Sequence, residues 1–261
     1  MRISLIITTY NRPDALLLVL RSIETQVSKP IEVIIADDGS TNDTKEVVTS
    51  FRKKSDISVI HSWQEDRGFR ASKSRNKAIA KATGNYIILI DGDMILHPQF
   101  INDHINHAQP SYFIQGSRVL LTKDKTKQTL DQQKINFLLL SNGLQNRKNA
   151  IHSKILSKLF SNKKNYLRGI KSCNMAFFKQ DCIKINGFNN QFEGWGREDS
   201  EFIMRLLNSG INRKNVRFNA IQFHLWHNEN IRSSLEKNDA ILQEAINNHT
   251  QWCNNGIDSY L

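Results

Sequence analysis

Cysteine is scarce in this chain. Its 261 residues include three cysteines, Cys173, Cys182 and Cys253, which is an odd number and contains no CxxC pair. That usage excludes a disulfide-stapled miniprotein and gives no basis for a zinc site. We therefore interpret the three thiols as packing residues, in a protein suited to a reducing compartment.

Long apolar runs are also missing. Apolar runs such as residues 86–90 and 137–140 fall far short of the roughly 20 residues that a membrane-spanning helix requires. The apolar stretch at the N-terminus ends at Thr8-Thr9-Tyr10-Asn11-Arg12 without the small residues of a signal-peptide cleavage site. We interpret residues 3–8 as a buried first strand and expect a cytoplasmic protein.

Acidic residues are outnumbered, with 25 Asp and Glu against 36 Lys and Arg, so the formal net charge is +11. Such an excess favours a polyanionic partner, whether nucleic acid, anionic lipid or a phosphorylated substrate. No RRM, KH or zinc-finger signature accompanies the charge, which disfavours nucleic acid. We expect peripheral contact with the inner face of an anionic membrane, or with a lipid-linked acceptor.

The first half of the chain alternates between strand and helix patterns. Short apolar runs at residues 3–8, 31–36, 57–61 and 86–90 predict strands, and amphipathic patterns follow the first three. This alternation predicts an α/β fold with a Rossmann-like, mostly parallel sheet flanked by helices. We expect Gly84 to end the third helix, residues 71–82, by adopting a positive φ.

The pattern weakens after about residue 110. Helices are predicted at residues 130–140 and 155–160, and a strand at residues 174–178. A helix opens near residue 198 and stops at Gly210, and the chain ends with an amphipathic segment at residues 235–246. We interpret the polar region between residues 123 and 171 as an acceptor-side lobe fused to the sheet.

Polar side chains follow the predicted strands. Because ligands bind beyond the carboxyl ends of the strands in open α/β sheets, these side chains should converge on one crevice. They are Thr9, Asp37, Asp38, Asp91 and Asp93. Asp91-Gly92-Asp93 places two carboxylates around a turn, and such oxygen ligands suit Mg²⁺ or Mn²⁺. The alternative is a plain turn or helix cap, which the preceding buried strand disfavours.

Two imidazoles, His224 and His227, follow the apolar residues of a late strand pattern near residues 220–225. Either ring could complete a metal site made mainly of oxygens, and the alternative is a partly buried structural histidine. Side chains alternate between the two faces of a strand, so residues three apart lie on opposite faces. We therefore expect the two rings to point in different directions and only one to be a ligand.

Glu198 and Asp199 follow Gly194-Trp195-Gly196 at the predicted start of a helix. Sugars stack on flat apolar faces such as that of Trp195. A helix N-terminus stabilises a carboxylate as the anion, so Asp199 can act as a general base. The alternative is an ordinary helix cap with solvated acidic neighbours.

Three arginines, Arg67, Arg70 and Arg75, lie around the start of the third helix. Guanidinium groups match phosphate oxygens in a bidentate manner, so these residues are candidates for a diphosphate clamp. The alternative is a set of solvated surface arginines.

Several of these motifs resemble family 2 nucleotide-sugar glycosyltransferases of the GT-A fold. The resemblance covers residues 1 to about 105 and is carried by residues 6–12 (IITTYNR), residues 34–40 (IIADDGS), Arg75-Asn76 and Asp91-Gly92-Asp93. A second stretch is similar to the C-terminal part of β-1,4-galactosyltransferases and to bacterial chondroitin polymerases. It comprises residues 174–178 (NMAFF), Gly187-Phe188, residues 194–199 (GWGRED) and Gly210.

The resemblance implies a role for each matching residue. Asp38, with Asp37, would contact the uracil of a UDP-sugar, and the nucleotide pocket would be lined by Thr9, Tyr10 and Arg12. The diphosphate would be approached by Arg75, with Arg67 and Arg70 near it. Asp93 and His224 would hold the metal, Asp91 would lie near the ribose and sugar, and Asp199 would be the catalytic base. Trp195 and Glu198 would shape the acceptor and donor-sugar sites.

The resemblance also implies an activity and a division of the chain. The expected enzyme is an inverting transferase that uses Mn²⁺ or Mg²⁺ and moves a hexose or N-acetylhexosamine, with the galactose type favoured. Its donor is a UDP-sugar, and its acceptor is a glycan or lipid-linked saccharide in surface polysaccharide synthesis. Residues 1–110 would bind the nucleotide sugar, residues 111–230 would bind acceptor and supply the base, and residues 231–261 would form a helical tail.

Two other functions compete with this interpretation. A catalytically inactive sugar-nucleotide or glycan-binding module would keep the fold, but the presence of both Asp93 and Asp199 argues against it. A basic nucleic-acid-binding protein would account for the charge but not for the carboxylates.

Overall fold

A computed structural model of the chain describes residues 1–228 and 232–261. The expected start of the tail at residue 231 therefore lies outside the described residues. The described strands are β1 (Ile3–Thr9), β2 (Glu32–Asp37), β3 (Ser58–Trp63), β4 (Tyr86–Asp91), β5 (Met94–Leu96), β6 (Tyr112–Gln115), β7 (Val119–Leu121), β8 (Leu144–Gln145), β9 (Asn174–Phe178), β10 (Asn212–Asn215) and β11 (Gln222–His224).

The described helices enclose the sheet and extend the chain beyond it. They are α1 (Pro13–Glu24), α2 (Asn42–Lys54), α3 (Ala71–Lys81), α4 (Phe100–His107), α5 (Lys123–Asp131), α6 (Lys154–Phe160), α7 (Lys179–Lys184), α8 (Glu198–Asn208) and α9 (Leu235–Asn247). Short 3₁₀ helices occupy Arg147–Ala150 and Ile257–Tyr260. None of the described helices is long and apolar enough to cross a membrane.

Seven strands form the main sheet in the order β10-β6-β9-β4-β1-β2-β3. Neighbours are parallel except at β9, which runs antiparallel to both β4 and β6. The predicted α/β class with a mostly parallel sheet is confirmed. Because β6, β9 and β10 continue the sheet that β1–β4 begin, the two expected halves of the chain share one sheet.

Apolar residues on both faces of the strands account for the layering. On one face Ile7 and Ile88 pack with α1, whose buried Leu16, Leu20 and Ile23 lie on one side of the helix. The other face packs against residues of α3, α7 and α8. Strands buried on both faces read as continuous apolar runs, which explains the pattern of β1, β2 and β4.

A smaller sheet, in the order β5-β11-β7-β8, follows the end of β4. β11 runs antiparallel to β5 and places His224 opposite Met94. The amide of Leu225 donates to the carbonyl of Asp93 at 3.0 Å. This pairing brings residues near 224 beside the Asp91-Gly92-Asp93 turn.

The cysteines and Gly210 lie as predicted, but Gly84 does not. All three cysteines are buried and free, and Gly210 follows α8 with φ of +83°. Gly84 has no positive φ, so that prediction is wrong. A Cβ at Gly84 would lie 2.5 Å from Ser4 Oγ, so glycine is needed there because the chain passes close to β1.

The prediction of a helix at residues 130–140 is also wrong. α5 ends at Asp131, and Gln133 adopts φ of +50°. Beyond it, Ile135 and Phe137 pack against the small sheet, with the rings of Phe137 and Phe223 4.6 Å apart. Two residues separated by one position point to the same side in an extended chain but not in a helix. The spacing of the apolar residues alone did not distinguish the two conformations.

Candidate active site

The carboxyl ends of β1, β2 and β4 meet at one edge of the main sheet. In the strand register Thr9 lies opposite Asp37, and Thr8 lies opposite Asp91. The amide of Gly92 donates to the carbonyl of Thr8 at 2.7 Å. A Cβ on Gly92 would lie 2.9 Å from Thr9 Oγ1, so this glycine lets the turn after β4 lie directly against β1.

Asp93 and two imidazoles form the most concentrated group of metal-ligand side chains among the described residues. Asp93 Oδ2 lies 3.4 Å from His224 Nε2 and 3.5 Å from His227 Nε2. One ligand atom from each residue lies within 4.8 Å of the other two. Burial disfavours the charged form of Asp93, but the hydrogen bond from His224 and the nearby positive charges outweigh it and lower the pKa of the carboxyl.

The second oxygen of Asp93 is the observation that fits a cation. Asp93 Oδ1 is buried and has no hydrogen-bond partner within residues 1–228 and 232–261, and a buried polar atom without a partner is costly. A carboxylate with two imidazoles is a donor set that Mn²⁺ accepts, and the Asp91 carboxylate lies in the same turn. The residues present therefore fit a divalent cation.

The expectation that His224 and His227 diverge is wrong. β11 ends at His224, so His227 lies beyond the strand and its direction is not set by strand alternation. The two rings are 5.1 Å apart and nearly perpendicular, at 89°, and both present Nε2 to the same carboxylate. The structure thus offers two nitrogen ligands where the sequence predicted one.

Arg75 is buried in the interior of the site. Its Nη1 donates to Glu198 Oε1 at 3.0 Å, its Nη2 lies 3.6 Å from Asp91 Oδ1, and its Nε donates to Thr8 Oγ1 at 3.2 Å. Its guanidinium also lies over the ring of Phe188. With a relative exposure of 3%, the residue joins the β4 turn to the start of α8. The structure therefore does not place its side chain as an open clamp for a diphosphate.

We expect Arg75→Met to destabilise the protein by about 3–5 kcal/mol, because it leaves the carboxylates of Asp91 and Glu198 without their buried counter-charge. Urea unfolding followed by circular dichroism measures the change. Arg67→Met is the matched control, since Arg67 is exposed and pairs with Glu65, so its midpoint should not move. A loss below about 1 kcal/mol for Arg75→Met would contradict the proposed bridge.

Asp199 lies in the first turn of α8, beside Glu198. Its Oδ1 accepts hydrogen bonds from the amide and hydroxyl of Ser200, at 2.7 and 3.2 Å. Burial, together with repulsion from the Glu198 carboxylate, raises the pKa of Asp199 to about 7. Arg197, the residue before the helix, makes no side-chain cap hydrogen bond among the described residues.

The loop before α8 presents Trp195 at the surface. Its side chain is partly exposed, at 38%, and the guanidinium of Arg232 lies 5.4 Å from its ring centre. The amide of Gly194 donates to the carbonyl of Phe69, which ties this loop to the segment that precedes α3. An exposed indole in the loop that leads into Glu198 and Asp199 is suited to stacking on a sugar ring.

Asp38 and Tyr10 lie on the β1–β2 side of the crevice. Asp38 accepts hydrogen bonds at 2.6 Å from Gln64 Nε2 and from the amide of Arg70, and burial raises the pKa of its carboxyl. The exposed Tyr10 donates to Asp66 Oδ2 at 2.9 Å. These contacts fix the orientation of Asp38 and leave the phenol ring open to solvent.

Thr9, at the end of β1, and Arg12, just before α1, make different contacts. The hydroxyl of Thr9 is buried and has no hydrogen-bond partner among the residues described. Arg12 Nε lies 3.2 Å from Asp14 Oδ1, and its charge contributes to the low pKa of Asp93. Both remain predictions as substrate contacts.

Asp37 does not reach the crevice. Its carboxylate is fully buried, with Oδ1 accepting from the amide of Ser40 at 2.8 Å and Oδ2 lying 2.7 Å from His61 Nε2. Asp37 therefore stabilises the turn after β2, and the adjacent Asp38 lies on the crevice side.

Arg67 and Arg70 are engaged outside the carboxylate group. The exposed side chain of Arg67 pairs with Glu65 at 2.7 Å. The guanidinium of Arg70 donates to the carbonyl of Glu65, and the backbone amide of Arg70 donates to the Asp38 carboxylate. The diphosphate role of these two arginines stays a prediction.

Several residues that shape the site were not singled out from the sequence. His61 and Gln64 hold the two adjacent aspartates, and Arg118 donates to Cys173 Sγ at 3.6 Å close to the Asp91 side. Nothing in the sequence marks Gln64 or Arg118. His61 ends a predicted strand beside that of Asp37, so parallel-strand register was the available signal.

Two protein-family models match the chain. The model described as Glycosyl transferase family 2 matches residues 4–184, and one described as the N-terminal domain of galactosyltransferase matches residues 154–228. Together the two matches include all of the carboxylates and imidazoles described above.

Curated relatives include two polysaccharide synthases. Hyaluronan synthase of Pasteurella multocida is 28% identical over 231 residues, which cover 80% of this chain and 23% of that protein. Chondroitin synthase of Escherichia coli is 27% identical over 241 residues, which cover 85% of this chain and 34% of that protein. The chain thus spans about a quarter to a third of the length of these relatives.

Solved structures share the fold. Residues 1–349 of S. aureus TarS match with a TM-score of 0.66 and 16% identity, covering 95% of this chain and 66% of that one, and the same protein was solved in complex with UDP. The mannosyltransferase PcManGT from Pyrobaculum calidifontis, solved with GDP-Man and Mn²⁺, matches with a TM-score of 0.62 and 16% identity, covering 94% of this chain and 64% of that one. These likenesses confirm the expected GT-A fold.

Proposed function

The chain belongs to glycosyl transferase family 2, and from that premise we propose that it is an inverting, metal-dependent transferase of a UDP-activated hexose or N-acetylhexosamine. The galactose type is favoured, because the second matching family description is that of a galactosyltransferase domain. The acceptor is a glycan or lipid-linked saccharide in surface polysaccharide synthesis, a proposal supported by the names of the two synthase relatives.

The observation that carries the proposal is the pairing of Asp93 with His224 and His227. Side chains from two distant parts of the sequence meet beside the carboxyl end of β4, and one buried carboxylate oxygen among them has no partner in the described part of the chain. Asp93, His224 and His227 would hold a Mn²⁺ or Mg²⁺ ion. When bound, such an ion supplies Lewis-acid stabilisation of a diphosphate leaving group.

The chain's own residues supply the remaining steps. Asp38 and the face of Tyr10 would bind the uracil, while Asp91, with Arg75 behind it, would orient the ribose and sugar. Asp199 would accept the proton of the acceptor hydroxyl as that oxygen attacks the anomeric carbon. Attack from the face opposite the departing UDP inverts the anomeric configuration. Trp195 would hold the acceptor sugar by stacking.

A panel of UDP-sugars tests this function without knowledge of the acceptor. Each sugar nucleotide is added with Mn²⁺ or Mg²⁺, and both the melting temperature and slow hydrolysis to UDP are recorded. We expect a UDP-hexose or UDP-N-acetylhexosamine to raise the melting temperature only with the cation present, since binding to the native state stabilises it. No stabilisation by any UDP-sugar, with or without cation, would contradict the proposal.

Turnover should depend on pH through Asp199. The pKa of this carboxyl is raised to about 7, so it is mostly protonated at pH 6 and mostly ionised at pH 8. A general base must be ionised, and we therefore expect the rate at saturating donor to rise with pH through an apparent pKa near 7. Initial rates of UDP release from pH 5.5 to 8.5 measure the profile. A flat profile, or the same limb in Asp199→Asn, would contradict this assignment.

A further inference from the structure

Positive charge is concentrated in one part of the chain. Between Asp131 and Asp181 the sequence contains ten Lys and Arg residues and no Asp or Glu. This one segment therefore accounts for nearly all of the net charge of +11. Charge gathered in this way acts on partners at a particular surface, whereas evenly spread charge acts mainly on solubility.

Two neighbouring cavities lie where this segment meets the rest of the protein. The outer cavity, of about 460 Å³, is lined by Arg147, Lys148, Arg217 and two asparagines. The inner cavity, of about 250 Å³, has Arg118 and Lys171 in its wall. Asn146 and Asn149 line both cavities, so the two adjoin. Together they reach the size of ordinary ligand sites, which is several hundred cubic ångströms.

The inner cavity lies close to the end of β4. Its wall includes Cys173 and Asn174, and in the sheet Asn174 of β9 lies opposite Ile90, the residue before Asp91. Arg118 donates to Cys173 Sγ at 3.6 Å. A molecule lying in both cavities would therefore have one end near the carboxyl end of β4.

Among the residues that the structure describes, the cations of these walls form no close ion pair. In the part of the chain that the structure describes, none of the five forms an ion pair within 4.0 Å, whereas Arg67, Arg75 and Arg205 do. The backbone is held in place around them. Asn149 Nδ2 donates to the carbonyl of Arg118 at 2.8 Å, and Arg147 Nε donates to the carbonyl of Leu144 at 3.2 Å. An anion bound here would relieve the repulsion among these charges.

We propose that the two cavities are acceptor subsites for an anionic saccharide, whose carboxylate or phosphate groups bind Arg118, Lys171, Arg147, Lys148 and Arg217. This inference rests on the proposed function, because it takes the β4 turn as the place of transfer. The cations line two adjoining cavities, and the inner one lies near the end of β4, which suits a charged chain bound close to the site of transfer. A flat bilayer would instead contact exposed residues such as Ile155 and Leu159 of α6, which line neither cavity.

Binding of labelled oligosaccharides tests the inference. The whole chain, with UDP and Mn²⁺, is titrated by fluorescence anisotropy against three probes: tetragalacturonate, its neutral methyl ester, and a glycerol phosphate oligomer. We expect at least one anionic probe to bind about tenfold or more tightly than the ester, with affinity falling as salt rises from about 50 to 300 mM. The two anionic probes distinguish carboxylate from phosphate.

A pair of charge reversals tests the location. Arg147→Glu with Lys148→Glu should weaken binding of the anionic probe by about tenfold. Lys154→Glu with Lys158→Glu makes the same charge change in the same segment but outside both cavities, and should weaken binding less than about twofold. Circular dichroism confirms that both double variants are folded.

Several outcomes would overturn the inference. These are equal binding of the ester, no binding of either anionic probe, or equal losses in the two double variants. The melting temperature with UDP and Mn²⁺ is recorded in the same samples. Stabilisation by UDP without saccharide binding rejects the acceptor inference alone, whereas absence of both rejects the proposed function.

Discussion

Asp93→Asn is expected to reduce UDP-sugar turnover by about 1,000-fold or more. Asparagine keeps the shape of the side chain but removes the charge that the two imidazoles share, so the affinity for Mn²⁺ falls with the loss of an anionic ligand. Loss of a preorganised charge at the leaving group costs about 10²–10³ in rate, and weaker metal binding adds to it. Asp93 is the carboxylate that both His224 and His227 contact, and this substitution removes its charge.

The Asp93→Asn result is measured as UDP release across a series of Mn²⁺ concentrations. Asp43→Asn is the matched control, because Asp43 is an exposed carboxylate on α2, and its rate should equal that of the unmodified chain. Far-ultraviolet circular dichroism and melting temperature show whether the variant remains folded. A folded Asp93→Asn protein with an unchanged rate and unchanged Mn²⁺ requirement would remove Asp93 from the site.

Asp199→Asn is expected to lower turnover by about 10²- to 10⁴-fold, which is the usual contribution of a general base. The amide keeps the hydrogen-bond acceptor that serves Ser200 but cannot take up a proton. Stabilisation of the protein by UDP and Mn²⁺ should be retained, because Asp199 belongs to α8 and not to the β4 turn. The effect should therefore appear in kcat and not in the concentration of UDP needed for binding.

UDP release and UDP-dependent melting are measured on the same preparation of Asp199→Asn. Asp181→Asn, on α7, is the matched control and should leave both unchanged. Equal turnover in Asp199→Asn and the unmodified chain would rule out the base assignment, and loss of UDP stabilisation would show that Asp199 instead supports the donor site.

The main sheet could be predicted from the sequence because its strands are buried on both faces. Continuous apolar runs in β1, β2 and β4 fixed their positions, and the rule for the carboxyl ends of parallel strands placed Asp38, Asp91 and Asp93 at one edge. The family resemblance supplied roles for these residues. Both kinds of inference depended on short, local signals.

The contacts across the site could not be predicted in the same way. Arg75 has the pattern of a surface arginine, yet it is buried between Asp91 and Glu198, which is 123 residues away along the chain. His227 lies beyond the end of a three-residue strand, where alternation no longer sets direction. The course of residues 132–143 depends on packing of Ile135 and Phe137 against the small sheet, which a helical period does not encode.

Electron spin-echo spectroscopy of bound Mn²⁺ tests the central claim most directly. In the complex with UDP, the account predicts coupling of Mn²⁺ to imidazole nitrogen together with coupling to phosphorus, and loss of the nitrogen signal in the double variant His224→Ala with His227→Ala. Phosphorus coupling without any nitrogen coupling in the unmodified chain, or a nitrogen signal that persists in the double variant, would contradict it.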